Sequence, residues 1–257
     1  MKSIKTELLK IISNRIWWIV VGLVIFLQPL LGMLEARNFA AIGLHATPAT
    51  NSKLIEAIPP LNYIGFDSAM FGIMPMVVMG SIIGAIEFKN HNLRISLLSE
   101  NKRLTLFVSK ILSFLILTAI VSLISIYLTI AVEHLELGKQ GLNPIILSSV
   151  TWKYIGLTTI NWTLLTTLSF GIGFLFKTMI IPLVFMIPQV YNLGAYLAEK
   201  WEWGHYLPVA AGDYVNSISS QAIHNPIKGI TILLIWLIIT FALAGCSLKK
   251  LDLGGKY

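Results

Sequence analysis

Six long apolar stretches, each free of charged residues, constrain the fold of this chain more than any other feature. They cover residues 16–34, 68–86, 111–132, 154–176, 178–198 and 229–248. A helix needs roughly 18–20 residues to cross the hydrocarbon core of a bilayer. Hydrophobic residues make up 56% of the chain and charged residues only 12%, which excludes an ordinary soluble domain. The sequence therefore predicts an all-α integral membrane protein.

Six transmembrane helices are expected within one transmembrane domain, residues 1–257. With flanking apolar residues included, the spans are placed at 16–34, 64–86, 106–132, 154–176, 178–198 and 229–248. If both termini are cytoplasmic, 13 of the 19 lysine and arginine residues lie inside and the other six outside. This asymmetry predicts that both ends face the cytoplasm. The net charge of +7 is then a topology signal directed at acidic lipid, and it does not indicate nucleic-acid binding.

Two amphipathic regions flank these spans. Ile4, Leu8 and Ile11 recur at helical spacing between lysines, which predicts an interfacial helix over residues 1–15; a plain basic anchor is the alternative. Residues 199–228 are rich in aromatic side chains, so we expect an outer re-entrant segment that dips into the membrane interface before the sixth span.

A few amide side chains interrupt the apolar spans. They are Gln28, Asn161, Gln189 and Asn192. Amides in this position either line a transport pathway or form hydrogen bonds between helices, and the absence of ionised groups favours the second interpretation. The fifth span also contains Pro182 and Pro188, which are expected to kink it.

The residues needed for catalysis or nucleotide binding are missing from the sequence. The nearest match to a phosphate-binding loop ends at Lys177, but Phe176 occupies the position of the essential glycine. The five histidines are dispersed, and Cys246 has no histidine nearby in sequence. We expect no catalytic residue, no metal and no cofactor on this chain.

The segment 87–103 is a short basic stretch between two apolar runs. Asn90 is able to cap a helix whose apolar face carries Leu93 and Leu97, with Leu98 beside them. Arg94 points elsewhere, and Ser99 is placed to cap the next helix. Such a helix fits a groove on a soluble partner, but a simple hairpin turn is an equal alternative on physical grounds.

The arrangement of these features resembles the membrane subunits of ABC-2 type exporters. Gly84-Ala-Ile-Glu87 closes the second span, the run Leu93-Arg-Ile-Ser-Leu-Leu98 follows, and Asn101-Lys-Arg103-Leu and Lys110 lead into the third span. Together with the amphipathic N-terminus and the outer aromatic segment, this resemblance covers essentially the whole chain. The chain is similar to the small bacterial plasma-membrane permeases that serve drug, bacteriocin-immunity and antimicrobial-peptide export.

The resemblance implies that this chain would work with other subunits. A separate ATP-binding subunit would bind ATP-Mg and hydrolyse it, and a second permease chain, identical or different, would complete the pathway. The segment 87–103 would be the coupling helix, with Glu87 paired to a basic residue of the interfacial helix. The residues expected to couple to the ATPase are Glu87, Asn90, Leu93, Arg94, Leu97, Leu98 and Ser99.

Other functions are weaker but distinct alternatives. A stand-alone carrier or channel would need no partner, and the lack of charge at the centre of the spans argues against it. An intramembrane enzyme would need a nucleophile and a base, which the sequence does not offer. A non-transporting sensor or immunity protein would share the same architecture. The expected substrate is apolar or amphipathic, such as a peptide, a bacteriocin or a drug-like compound, because the spans offer aromatics and amides but no fixed charge.

Overall fold

The computed structural model describes residues 2–51, 54, 57–89, 103–216 and 225–250. Within these residues the regular secondary structure is entirely helical. In chain order the helices are α1 (Lys2–Ile12), α2 (Arg15–Ile42), α3 (Phe66–Met70), α4 (Ile73–Ile86), α5 (Arg103–Glu136), α6 (Ser149–Phe176), α7 (Ile180–Lys200), α8 (Pro208–Asn216) and α9 (Pro226–Lys250). Short 3₁₀ turns lie at Leu61–Tyr63, Gly138–Gln140 and Glu202–Tyr206. The predicted all-α class is confirmed.

Five of these helices are long and apolar enough to cross a membrane, namely α2, α5, α6, α7 and α9. A sixth span results if Leu61–Met70 and α4 are taken together, although they are bent by 41° relative to each other. The protein is therefore a multi-pass membrane protein with five to six spans. The helix α1 forms within the predicted range 1–15.

The first and second spans differ from their predicted boundaries. The first span is predicted to end at residue 34, but α2 continues to Ile42. Beyond that predicted end, Glu35 accepts a hydrogen bond from the Ser68 hydroxyl of α3. The second span breaks at Phe71–Gly72. A side chain at Gly72 would collide with Gln28 and with the Trp162 ring, so the backbone turns where these two side chains approach it.

Two spans contain wide π-helical turns beside a proline. In α2 the N–H of Gln28 bonds to the carbonyl of Leu23, five residues back, immediately before Pro29. A π turn supplies an extra residue where the proline cannot donate. In α7 a similar turn follows Pro188, and Asn192 adopts a φ of 65°. The predicted kink in the fifth span is present.

The helix α6 is the centre of the bundle and contacts α4, α5, α7, α8 and α9. Its closest neighbour is α4, because glycines on both helices remove the side chains that would hold them apart. A Cβ at Gly84 would collide with the carbonyl of Phe170, and one at Gly173 would lie 2.6 Å from the carbonyl of Ser81. Small residues at a contact allow membrane helices to pack backbone against backbone.

This packing makes a direct prediction for Gly84. Replacing it with alanine forces α4 away from α6, and we expect a loss of about 1–3 kcal/mol of stability, measured as a lower midpoint of thermal unfolding in detergent. The matched control is Gly156→Ala on α6, where a Cβ meets nothing within 4 Å. That substitution should leave the midpoint unchanged or raise it, because alanine favours a helix. Equal effects at the two positions would contradict the packing argument.

Candidate functional site

Four charged side chains meet at the end of the bundle that carries α1, which we call the α1 end. Lys110 of α5 donates to Glu7 of α1 and to Glu87, which follows α4, with both distances 2.7 Å from its Nζ. Lys10 of α1 donates to both oxygens of Glu87 at 2.9 Å. We call these four residues the α1-end ion network. It joins three helices through one continuous set of charge-assisted hydrogen bonds.

The network is buried although each of its members is charged. Lys110, Glu7 and Glu87 are 2–5% exposed, and only Lys10 reaches solvent substantially. Burial lowers the pKa of Lys10 from its ordinary value, while the Glu87 carboxylate acts in the opposite direction. Two cations and two anions balance, so no net charge is taken out of water. Removing one member would leave a buried charge unpaired, which is strongly destabilising.

The position of α1 follows from its sequence. Glu7 falls on the same helical face as Ile4 and Ile11, since the three are spaced by three and four residues. This face turns toward α5, where the Ser113 hydroxyl also donates to the Ile4 carbonyl at 3.2 Å. An acidic residue on an otherwise apolar face was the signal in the sequence that could have revealed the partnership with Lys110.

The two ends of the segment 87–103 are both anchored to the bundle. At its start the Phe88 ring packs edge-on against Phe174 of α6, and the Lys177 ammonium lies 5.5 Å from the Phe88 ring centroid. At its end Arg103 donates to the carbonyls of Leu248 and Lys249 at the end of α9, at 3.3 and 3.1 Å. The described residues at the two ends of the segment therefore contact α1, α5, α6 and α9.

Glu87 is the one predicted coupling residue that falls within the described part of the chain. Glu87 lies in the α1-end ion network, and its predicted pairing with a basic residue of α1 is present, with Lys10 as that residue. The other predicted coupling residues lie outside the described part of the chain. They are Asn90, Leu93, Arg94, Leu97, Leu98 and Ser99.

Two of the four amides form hydrogen bonds inside the bundle. Gln28 is buried and donates to the Thr129 hydroxyl of α5 at 3.0 Å. Gln189 is buried, donates to the Phe185 carbonyl at 2.7 Å and accepts from the Val209 N–H of α8 at 3.4 Å. The Gln28–Thr129 and Val209–Gln189 bonds link helices, whereas the Gln189–Phe185 bond lies within α7.

The other two amides lie in contrasting surroundings. Asn161 is buried on α6 against Gly212 of α8, where a side chain on the glycine would collide with the amide. Asn192 is exposed at the break in α7. Of the four, Asn192 is therefore the one that faces outward from this single chain.

The fold defines the class of the protein as a multi-pass helical membrane protein. A family model described as ABC-2 family transporter protein matches residues 3–193. The chain therefore belongs to the ABC-2 transporter family, and the resemblance drawn from its sequence is confirmed. Members of this family are membrane components of transporters that are not themselves catalytic, and they work in general with an ATP-binding subunit. The comparisons with curated proteins and with solved structures gave no match.

Lys110 is the member of the network on which two carboxylates depend. Replacing it with methionine leaves Glu7 without its partner and should cost about 3–5 kcal/mol, seen as a lower midpoint of thermal unfolding in detergent. Lys139→Met is the matched control, because Lys139 is exposed at the opposite end of α5; its effect should stay within about 0.5 kcal/mol. A Lys110 variant as stable as this control would show that the network does not hold the helices together.

Proposed function

We propose that the chain is the permease subunit of an ATP-driven exporter, energised by a separate ATP-binding subunit that docks on the segment 87–103. The observation that carries this proposal is the α1-end ion network. It fixes Glu87, at the start of the segment, to α1 and α5 at once. A soluble partner that moves the segment would thus move helices that belong to the bundle, and family membership names the class of partner.

The contact between Arg103 and α9 also supports a mechanical connection between the segment 87–103 and the bundle. Arg103 ties the end of the segment to the last turn of α9, so closure of an ATPase pair would act on both ends of the segment. We propose that this closure rocks the spans between inward-facing and outward-facing arrangements. ATP-Mg belongs to the partner subunit in this scheme.

The proposed orientation places both termini and the α1 end in the cytoplasm. It is supported by the basic residues, 13 of which lie on that side. In this orientation α1 lies in the cytoplasmic interface of a bacterial plasma membrane. The helix α8, which is buried against α6 and α9, would be the inner limb of the outer re-entrant segment.

A second permease chain, identical or different, would complete the pathway. The helices α2 and α7 expose broad apolar faces, which include Phe26, Val184 and Tyr191. These faces favour the presence of a second chain. The substrate we propose is apolar or amphipathic, such as a peptide, a bacteriocin or a drug-like molecule, because the exposed side chains around Asn192 are apolar or aromatic.

The coupling segment is tested by Leu97→Asp. A charge on the apolar face of the proposed coupling helix should prevent docking, so the ATP-binding subunit should no longer co-purify with the tagged full-length chain from its native membrane. Leu97→Met conserves volume and apolarity and should retain both the partner and its ATP hydrolysis. Normal co-purification and normal ATP hydrolysis with Leu97→Asp would refute the docking assignment.

The orientation is tested by cysteine labelling in intact cells. Cys246 is the only native cysteine, so Cys246→Ser provides a background for single cysteines. Lys139→Cys should react with a membrane-impermeant maleimide in intact cells, whereas Lys89→Cys should react only after permeabilisation, since both positions are exposed but lie at opposite ends of the bundle. The reverse pattern would invert the proposed topology without affecting the fold.

A further inference from the structure

A second cluster of polar side chains, two of them carboxyl groups, lies at the far end of the bundle, opposite the α1 end. It is formed by Glu35 of α2, Ser68 of α3 and Glu133 of α5, which we call the far-end carboxylate cluster. Ser68 and Glu133 are both fully buried. Room for the Glu133 carboxylate is made by two glycines: a side chain at Gly32 would collide with its Oε1, and one at Gly65 would lie 3.4 Å from its Cδ.

If both glutamates are ionised, this cluster has too few hydrogen-bond donors for its carboxylate acceptors. The Ser68 hydroxyl has one proton, and it donates that proton to Glu35. Ser68 also lies beside Glu133, but it has no second proton to donate. Within the described residues neither oxygen of Glu133 has a hydrogen-bond partner. An ionised carboxylate buried in this way would carry a large desolvation cost.

The neighbouring charged groups do not supply the missing partner. The lysine and arginine residues at this end of α2 and α5 are Arg37, which pairs with Glu136 at 2.6 Å between Nε and Oε1, and Lys139, which follows α5 and is exposed. His134 is buried, and its Nδ1 accepts the Leu142 N–H.

Asp67 and Glu35 both face Glu133, Asp67 from an exposed position on α3. They add negative charge to its surroundings, and like charges at close range in a buried site favour retention of a proton by one of them.

We propose that the far-end carboxylate cluster is a proton-binding site, in which Glu133 is a carboxylic acid. Its O–H donates to the Ser68 oxygen, and the Ser68 hydroxyl donates to the Glu35 carboxylate. One added proton satisfies the unpartnered carboxyl and removes one negative charge. The proton is the ligand that fits, because the glycine contacts leave little space around the Glu133 carboxylate and no group in the described residues is arranged to hold a metal ion.

Loss of this proton has a mechanical consequence. The chain Glu133–Ser68–Glu35 connects α5 to α2 through α3, so ionisation of Glu133 would place two like charges across one hydroxyl and push α2 and α5 apart. If the proposed orientation holds, this end faces the outside, and the external pH would bias separation of the outer ends of these spans. The proton site itself is independent of the ATPase partner and of the orientation.

Infrared difference spectroscopy of the purified full-length chain in nanodiscs tests the site directly. At neutral pH the wild type should show a carboxylic-acid C=O band that is sensitive to exchange into D₂O, and Glu133→Gln should lose it. Glu136→Gln is the matched control, one turn further along the same helix in an exposed ion pair, and it should keep the band. If the wild type has no such band, or if Glu133→Gln retains it, Glu133 is ionised and the proposal is overturned.

The dependence of stability on pH provides a second readout. A proton held by the folded chain and released on unfolding stabilises the fold at low pH, so this stability should be lost as the pH rises from mildly acid to alkaline. Glu133→Gln should abolish that decline, whereas Glu136→Gln should keep it. An unchanged decline in Glu133→Gln would count against the site.

If Glu133→Gln fails to accumulate, Ser68→Ala replaces it in the infrared experiment. That variant removes the acceptor of the Glu133 proton, so the carboxylic-acid band should shift to higher frequency while remaining present. An unshifted band would mean that the acid is not bonded to Ser68, which would overturn the proposed arrangement.

Discussion

The cost of taking charge out of water governs both ends of this bundle. Apolar spans offer no partner to an ionised side chain, so charged groups near their ends must find one another or be neutralised. At the α1 end Lys110 lies between Glu7 and Glu87, and Glu87 in turn lies between two lysines. The position of α1, the end of α4 and the start of α5 therefore depend on one another, and none of these elements is placed correctly without the other two.

The inside of the bundle is held by a different interaction. Between lipid-embedded helices, close packing replaces the hydrophobic effect as the main source of contact energy. Gly84 lets α4 lie directly on the backbone of α6, and Glu87 one turn later fixes the same helix to α1 and α5. The helix α4 is therefore packed against α6 along one face and held at its end by ion pairs, which is the arrangement that the proposed coupling through Glu87 requires.

The long charge-free runs correctly predicted a multi-pass helical membrane protein, and the proline kink in α7 followed from the missing donor of Pro188. Prediction from the sequence failed where a charged residue has a partner distant in the chain. The helix of the first span continues past its predicted end at residue 34, and Glu35 there is paired with Ser68, 33 residues away. The α1-end ion network was foreseen only as a pairing of Glu87, because the partners of Lys110 lie 103 and 23 residues away. The predicted coupling residues 90–99 stay a prediction.

The two charged clusters differ in the sign of their members, and this difference assigns them different mechanical roles. Opposite charges at the α1 end attract each other, so separating them exposes unpaired ions and is costly. The far-end cluster brings together carboxylates from α2 and α5, and on the proposed protonation only one proton prevents their repulsion. The α1 end therefore resists separation of α1, α4 and α5, whereas the contact between α2 and α5 at the far end is, on the proposed protonation, sensitive to the loss of one proton.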